Sequence, residues 1–273
     1  MAEHKQLMAC YFRSWRDTTN DSAENQACMA ELPEEVDIAF VFPNGEETSG
    51  FWEKLGAEVI PCLHGKGIRV VRTVFIDELI NPKFADTEEG YQALADHVLE
   101  RFLLSTPGLD GLDVDLEKNL NDAQRKKAHA VSLHLSSYLK KHGKLFIYDT
   151  SELGDVELLR SLEPSLDYLL LQAYGQNPER VQAHFDRLYA SFLPIEKFMV
   201  GFSFYEERGQ PWWDTTPSLE ASTACKYAMW QPTQGRKAGM FSYATDRDGV
   251  KEGSDALQPT RYEWTRQLKR MMR

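Results

Sequence analysis

Apolar runs of strand length alternate with segments of helical periodicity along the whole 273-residue chain. Several of the runs are almost continuously apolar, which is typical of strands that are covered on both faces. The pattern predicts eight strands, at Leu7–Phe12, Val36–Phe42, Ile68–Phe75, Gly111–Glu117, Lys144–Thr150, Asp167–Tyr174, Lys197–Tyr205 and Gly239–Thr245.

The segments between these runs carry apolar residues at helical spacing. Asn121 and Gln124 form a start signal for one helix, Gly143 is its stop signal, and Thr260 and Glu263 have the spacing of a capping box for the last helix. We predict four helices, running through Tyr91–Phe102, Val131–Leu139, Val181–Phe192 and Trp264–Leu268, the last with both named residues turned inward.

The order of these elements indicates one fold class. Strands and helices alternate from end to end, and no Ser/Gly linker, charge block or low-complexity run divides the chain. Eight strands in this arrangement predict a (β/α)8 TIM barrel that forms a single domain over residues 1–273. A doubly wound open sheet is the alternative, but no Gly-rich phosphate loop follows any predicted strand.

The fourth predicted strand, in GLDGLDVDLEKN, carries acidic residues at alternate positions. Residues two apart in a strand face the same side, so Asp113, Asp115 and Glu117 share one face while large aliphatic residues fill the other. In a barrel the acidic face lines the interior and rises toward the C-terminal rim, where active sites of this fold lie. A solvated edge strand, a buried ion-pair network and a hard-metal site are the alternatives.

Mutual repulsion makes such a row costly unless protons are retained. Two carboxylates about 5 Å apart repel by roughly 3 kcal/mol at an effective dielectric constant of about 20. That energy corresponds to about two pKa units, so at least one group keeps a proton at neutral pH. We predict that Glu117, nearest the rim, is a proton donor and that Asp113 and Asp115 share a proton below it.

The spacing Asp110-x-x-Asp113-x-Asp115-x-Glu117 resembles the DxxDxDxE signature of glycoside hydrolase family 18, which contains chitinases and endo-β-N-acetylglucosaminidases. Other stretches also resemble strands of this family, and they occur in the family's order along the whole chain. These are Tyr11 to Trp15 on the first strand, Gln172 and Tyr174 on the sixth, and Gly239 to Tyr243 on the eighth. The resemblance implies substrate contacts for Asp110, Tyr11, Gln172 and Tyr243.

Three departures from the chitinase pattern favour the endoglycosidase branch. The third strand lacks the Ser-x-Gly-Gly of many chitinases, and Tyr243 stands where chitinases usually have tryptophan. The spacing between the seventh and eighth strands leaves no room for a chitinase-type insertion domain. The chain is most similar in these features to bacterial endo-β-N-acetylglucosaminidases, which cut the chitobiose core of N-glycans.

The resemblance also implies a substrate-assisted mechanism with retention. Glu117 would protonate the leaving oxygen, and the 2-acetamido oxygen of the substrate would attack the anomeric carbon. Asp115 would hold the acetamide N–H, and Asp113 would tune Asp115. Tyr174 would donate its hydroxyl to the acetamide oxygen with help from Gln172. The implied partner is an N-glycan on a glycoprotein, and the alternatives are a chitinase or a catalytically inactive glycan-binding barrel.

Further aromatic and charged residues fall at the predicted rim. Trp212 and Trp213 follow the seventh strand as a sugar-stacking platform or as a hydrophobic plug. Arg13, Trp15 and Arg16 follow the first strand, where a salt-bridged loop is expected and glycan binding is the alternative. Possible hydroxyl contacts are Tyr148, Asp149, Glu206 and Glu207.

Composition limits which partners, cofactors and locations are expected. A net charge of −11 argues against a nucleic-acid partner. The four cysteines match no zinc or redox spacing, and the histidines form no metal motif, so we expect no metal and no cofactor. No apolar run reaches membrane-span length, and no signal h-region precedes the first apolar run. We expect a monomer that acts outside the cell, in the periplasm or at the cell surface, because its implied substrates lie there.

Overall fold

The computed structural model describes residues 5–20 and 22–272 and shows a closed parallel barrel. Each strand pairs with the next along the chain, and the eighth pairs with the first, which confirms the predicted fold. All eight predicted strands are present, with ends within two residues of the prediction. They are β1 Leu7–Arg13, β2 Ile38–Phe42, β3 Arg69–Phe75, β4 Gly111–Leu116, β5 Leu145–Thr150, β6 Tyr168–Gln172, β7 Phe198–Ser203 and β8 Gly239–Tyr243.

Helices cover the outside of the barrel. They are α1 Ser49–Lys54, α2 Ile60–Gly65, α3 Ile76–Leu79, α4 Glu88–Val98, α5 Asp122–Lys141, α6 Val156–Leu162, α7 Pro178–Leu188, α8 Thr223–Met229 and α9 Glu263–Met271. The four predicted helices correspond to α4, α5, α7 and α9. A π-helical segment, Leu99–Leu104, extends α4, whereas α7 ends at Leu188, so the prediction that it reaches Phe192 is wrong.

The two predicted helix starts have different outcomes. The capping box of α5 is confirmed, because Asn121 Oδ1 accepts from the Gln124 N–H at 2.9 Å and Gln124 Oε1 accepts from the Asn121 N–H at 3.1 Å. The prediction of a capping box at the start of α9 is wrong. Tyr262 precedes that helix with a φ of 55°, and the Asp248 carboxylate accepts from the N–H groups of Trp264 and Thr265 instead.

Successive side chains of each strand point to opposite faces, so the barrel separates two apolar regions. Side chains on one face pack inside the barrel, among them Tyr11, Phe40 and Phe241, and those on the other face pack against the helices. Gly201 is required by this packing, since a Cβ there would lie 2.1 Å from the ring of Phe241. Among the described residues, side chains fill the barrel interior near the N-terminal ends of the strands, and a cavity opens toward their C-terminal ends.

Long irregular segments surround that end of the barrel. The chain between β7 and α8 forms a loop over residues 204–222, which carries Trp212 and Trp213. Within residues 5–20 and 22–272, no helix combines the length and the apolar character needed to cross a bilayer.

Candidate active site

The predicted row of acids on β4 faces the barrel interior. Asp113 is 0% exposed and Asp115 is 6% exposed, while Glu117 follows the strand and is exposed at the rim. The aliphatic residues between them are buried on the opposite face. The predicted division of β4 into an acidic inner face and an aliphatic outer face is confirmed, and the solvated edge strand is excluded.

A fourth carboxyl group, Asp149, joins this row from the neighbouring strand. Asp115 and Asp149 are partners in the register of β4 and β5, and Asp149 is only 2% exposed. Asp149 is one of the residues for which we predict a hydroxyl contact at the rim. The alternation Leu145, Ile147, Asp149 on β5 is the signal that it faces inward.

Asp113 is held by hydroxyl groups from two other strands. Its Oδ2 accepts from the Tyr11 hydroxyl at 3.0 Å and from Thr73 Oγ1 at 2.9 Å. Its carboxyl group also hydrogen-bonds to that of Asp149. In the strand register Asp113 lies opposite Ile147, two residues before Asp149, and the sharing of a proton between Asp113 and Asp115 stays a prediction.

Protons are retained in this cluster, as repulsion between its members predicts. Burial, together with the charges of Asp149 and Glu117, raises the pKa of Asp115 to about 10. Burial also raises the pKa of Asp113 to about 7, although hydrogen bonds from Asp149, Thr73 and Tyr11 oppose the shift. The pKa of Asp149 lies well above its usual range because the group is buried beside Asp113. Asp115 also hydrogen-bonds to Glu117.

A cavity of about 280 Å³ opens above the carboxyl groups. Tyr174 and Tyr243 form one wall, with ring centroids 6.0 Å apart. Burial raises the pKa of both hydroxyls, so they stay protonated and can donate hydrogen bonds. The residues that line the cavity are Tyr11, Phe42, Glu117, Asp149, Gln172, Tyr174, Glu206, Gln210, Trp212 and Tyr243.

Gln172 connects the buried carboxyl groups to the rim. Its Nε2 donates to Asp149 Oδ1 at 2.5 Å and to Glu117 Oε1 at 3.1 Å. Both contacts use the amide nitrogen, so the amide oxygen remains for a substrate. Phe42 and Gln210 also line the cavity, and neither was predicted, since no motif marks a phenylalanine at a strand end or a loop glutamine.

A groove of about 590 Å³ lies beside the cavity and shares Glu117, Gln172 and Tyr174 with it. Trp212 lines both spaces and packs against Tyr174 at 5.9 Å. Trp213 lines only the groove and is 63% exposed, so it does not plug the loop.

Arg13 forms the centre of a buried charge network beside the cavity. Its guanidinium is 2.6 Å from Asp246, 2.8 Å from Glu207 and 3.1 Å from Glu206. Arg16 joins through Glu207. The expectation of a salt-bridged segment after the first strand is confirmed, and the network fixes Glu206 at the cavity wall.

Two predicted contacts are not supported by position. Asp110 precedes β4 at the far end of the barrel, where its carboxylate accepts from the Val70 N–H at 2.6 Å and contacts His64 at 2.8 Å. It holds β3 and β4 together there and does not line the cavity. Tyr148 faces outward and contacts Ser132 of α5 at 2.7 Å, so its predicted rim contact is wrong.

The carboxyl cluster does not have the arrangement of a metal centre. Across the described part of the chain, no group of three or more His, Cys, Asp or Glu side chains has geometry suited to a metal ion. The buried carboxyl groups instead bind one another, hydroxyls and an amide. Such an arrangement can hold and transfer protons at the rim.

Comparisons with known proteins agree with this geometry. Residues 10–242 match the model of the endo-β-N-acetylglucosaminidase EndoS TIM-barrel domain. The chain is 34% identical to EndoSd of Streptococcus dysgalactiae, over 97% of this chain and 36% of that protein. It is 31% identical to endo-β-N-acetylglucosaminidase F2 of Elizabethkingia meningoseptica, over 98% of this chain and 82% of that protein. The chain thus spans about a third of the streptococcal relative.

Solved structures give the same result. The crystal structure of an endo-β-N-acetylglucosaminidase from Cordyceps militaris superposes with a TM-score of 0.93 at 44% identity, covering 98% of this chain and 91% of that one. A family 18 chitinase from Pseudoalteromonas aurantia has a TM-score of 0.59 at 14% identity, over 97% of this chain and 99% of that one, and shows a likeness of fold alone. The chain therefore belongs to glycoside hydrolase family 18, among the endo-β-N-acetylglucosaminidases.

Proposed function

We propose that this barrel hydrolyses the GlcNAc-β1,4-GlcNAc core of N-linked glycans on glycoproteins, with retention of configuration. One observation carries the proposal: Glu117 stands exposed at the mouth of a closed barrel, directly above buried carboxyl groups and beside a wall of protonated tyrosines. A proton donor that solvent and substrate can both reach is what cleavage of a glycosidic bond requires.

The chemistry follows from the positions of the side chains. Glu117 protonates the bridging oxygen, and the 2-acetamido oxygen of the bound GlcNAc attacks the anomeric carbon, giving an oxazolinium ion and releasing the leaving sugar. Asp115 accepts the acetamide N–H, for which its Oδ1 is suited, since that buried atom has no donor among the described residues. Glu117 then takes a proton from water, which opens the oxazolinium ring.

Tyr174 and Tyr243 complete the proposed sugar site. Their hydroxyls remain donors over the working pH range because burial raises both pKa values. We assign Tyr174 to the acetamide oxygen, which its hydroxyl would position for attack on the anomeric carbon. Tyr11 and Asp113 support Asp115 from below, and Trp212 and Trp213 offer aromatic faces to the outer sugars.

A relative supports the substrate class. A structure of the Cordyceps militaris enzyme, 43% identical to this chain, is described as a double mutant in complex with fucosyl-N-acetylglucosamine-Asn. That mutant combines an Asp→Asn and a Glu→Gln change two positions apart, which is the spacing of Asp115 and Glu117. We extend the proposal to asparagine-linked GlcNAc as the retained product. Such glycoproteins lie outside the cell, in the periplasm or at the cell surface, and we propose that the enzyme acts there as a monomer.

Mass spectrometry of a glycoprotein before and after incubation tests the function. The expected product keeps one GlcNAc, with or without fucose, on asparagine, while the rest of the glycan is released intact. Chitin oligomers under the same conditions are expected to be cleaved far more slowly. Faster cleavage of chitin, or conversion of the glycosylated asparagine to aspartate, would refute the proposal.

A further inference from the structure

Asp149 is a buried carboxyl group without a role in the mechanism above. It reaches the floor of the cavity from β5, and the ionisable groups around it are Asp113, Asp115 and Glu117 from β4 with Tyr11 and Tyr174 from β1 and β6. No cation is among these neighbours. A carboxylate in such surroundings is strongly unfavourable, whereas a neutral carboxylic acid is not.

Hydrogen-bond partners locate a proton between two of these groups. Among the described residues, Asp113 Oδ1 and Asp149 Oδ2 have no protein donor, yet the two carboxyl groups hydrogen-bond to each other. One shared proton satisfies both oxygens. Asp113 Oδ2 already accepts from two hydroxyls, which stabilise its ionised form, so the proton belongs to Asp149.

The second oxygen of Asp149 fixes the amide of Gln172. Asp149 Oδ1 accepts one hydrogen of Nε2, and Glu117 Oε1 accepts the other. Exchanging the nitrogen and oxygen of this amide would place an oxygen against two acceptor oxygens, so the orientation is determined. Glu117 Oε1 is thereby held as an acceptor, which fixes the orientation of the Glu117 carboxyl group at the cavity.

We propose that Asp149 is a positioning residue that stays neutral and acts through Gln172 to hold the carboxyl group of Glu117 toward the substrate. The inference rests on the proposed function, in which Glu117 is the acid. It also specifies which atom of Gln172 meets the substrate. Because both amide hydrogens are used, Gln172 presents only its carbonyl oxygen to the sugar, and the sugar group beside it is a donor such as a hydroxyl.

Two substitutions at Asp149 separate a neutral role from a charged one. Asp149→Asn can donate to Asp113 Oδ1 and accept from Gln172, so its kcat is expected to stay within about threefold of wild type, whereas Asp149→Ala is expected to lower kcat about 100-fold with little change in KM. Loss of activity in Asp149→Asn equal to that in Asp149→Ala would overturn the proposal. So would unchanged kcat in Asp149→Ala.

A double-mutant cycle tests whether Asp149 acts through Gln172. In a Gln172→Ala background, adding Asp149→Ala is expected to lower kcat by less than about threefold, because the intermediary is already gone. A purely structural contribution of Asp149 would persist in that background. Effects that multiply to the full product of the single losses would therefore contradict the proposal.

An infrared measurement tests the protonation state without turnover. The difference spectrum of wild type minus Asp149→Asn at neutral pH is expected to contain the C=O band of a protonated carboxyl group. The matched control is Asp155→Asn, since Asp155 is buried but pairs with Arg125 at 3.0 Å and should give only a carboxylate band. A carboxylate band for Asp149 would overturn the inference, whatever the outcome of the glycan assay.

Discussion

Single residues inside the barrel behave differently from the same residues in water. Asp113, Asp115 and Asp149 are acids whose burial favours the protonated form, while Glu117 at the rim is exposed to solvent and substrate. The chemistry of the site therefore depends on where each carboxyl group lies along the axis of the barrel. The deep groups store protons and make hydrogen bonds, and the outermost group contacts the bond that is cleaved.

The raised pKa of Asp115 predicts a stability that falls as the pH rises. Unfolded aspartate has a pKa near 3.9, and burial raises the value in the native protein to about 10. The native state binds more protons than the unfolded state between these values, so this contribution to stability is present at low pH and is lost toward high pH. Asp115→Asn lacks the titration and should gain at least about 1 kcal/mol of stability relative to wild type between about pH 5 and pH 8.

Urea unfolding at a series of pH values measures this effect. Asp96→Asn is the matched control, since Asp96 is exposed on α4 and its substitution should leave the pH dependence of wild type unchanged. A stability difference between Asp115→Asn and wild type that is the same at every pH would show that Asp115 is not the source.

Sequence periodicity is sufficient to place the acids of one strand but not to pair them with another. The period of two predicts that Asp113 and Asp115 face inward, and they do. The contact between Asp113 and Asp149 depends on the register of β4 and β5. Neither strand's own residue pattern determines that register. The position of Asp110 at the far end follows from strand direction, which the family motif does not reveal.

Secondary-structure elements deliver these residues, and their ends are fixed partly by distant side chains. The start of α5 was predictable because the capping box is local in sequence. The start of α9 was not, because its cap is Asp248 on the segment that follows β8. Strands were predicted more closely than helices, since the doubly covered strands have long apolar runs whereas short helices such as α6 and α8 have little periodicity.

The cap of α9 predicts a specific loss of stability. Asp248→Ala leaves the N–H groups of Trp264 and Thr265 without their acceptor, so the free energy of unfolding should fall by about 2–4 kcal/mol. Thr260→Ala should cost less than about 1 kcal/mol, since Thr260 does not accept from the first turn of the helix. Thermal unfolding of the two variants compares the effects. A larger loss of stability for Thr260→Ala than for Asp248→Ala would support the capping box that the sequence predicts.

The loop between β7 and α8 depends on another buried carboxyl group. Asp214 accepts from the N–H groups of Gly175 and Ser203, both at 3.0 Å, and directly follows Trp213. Asp214→Ala should destabilise the protein by about 1–3 kcal/mol, because the buried Ser203 N–H and the Gly175 N–H lose their acceptor. It should also raise KM for a glycopeptide, since the tryptophans lose their support.

Glu220→Ala is the matched control for Asp214→Ala, because Glu220 is exposed in the same loop. It should change neither stability nor KM appreciably. If Asp214→Ala kept the wild-type KM while losing stability, the tryptophans would have no part in substrate binding.

At the scale of the whole molecule, closure of the barrel is what makes the site. The pairing of β8 with β1 brings Tyr243, Arg13 and Tyr11 to the same mouth as the acids of β4, although Tyr11 and Asp113 are 102 positions apart in the chain. An open sheet with the same strands would leave the acids in water and remove the burial that raises their pKa values. Composition and periodicity could predict the closed barrel, but the width and shape of its mouth depend on loops whose conformations have no periodic signal.

Parallel measurement of turnover and binding in Glu117→Gln tests the account most directly. Because the glutamine amide keeps the shape of the acid but cannot give up a proton, release of glycan from a glycopeptide should fall by at least about a thousandfold, while the dissociation constant should stay within about threefold of the wild-type value. The exposed position of Glu117 makes a folding defect unexpected, and an unchanged melting temperature would verify this. Turnover near the wild-type rate, with one GlcNAc still left on asparagine, would contradict the assignment of Glu117 as the acid.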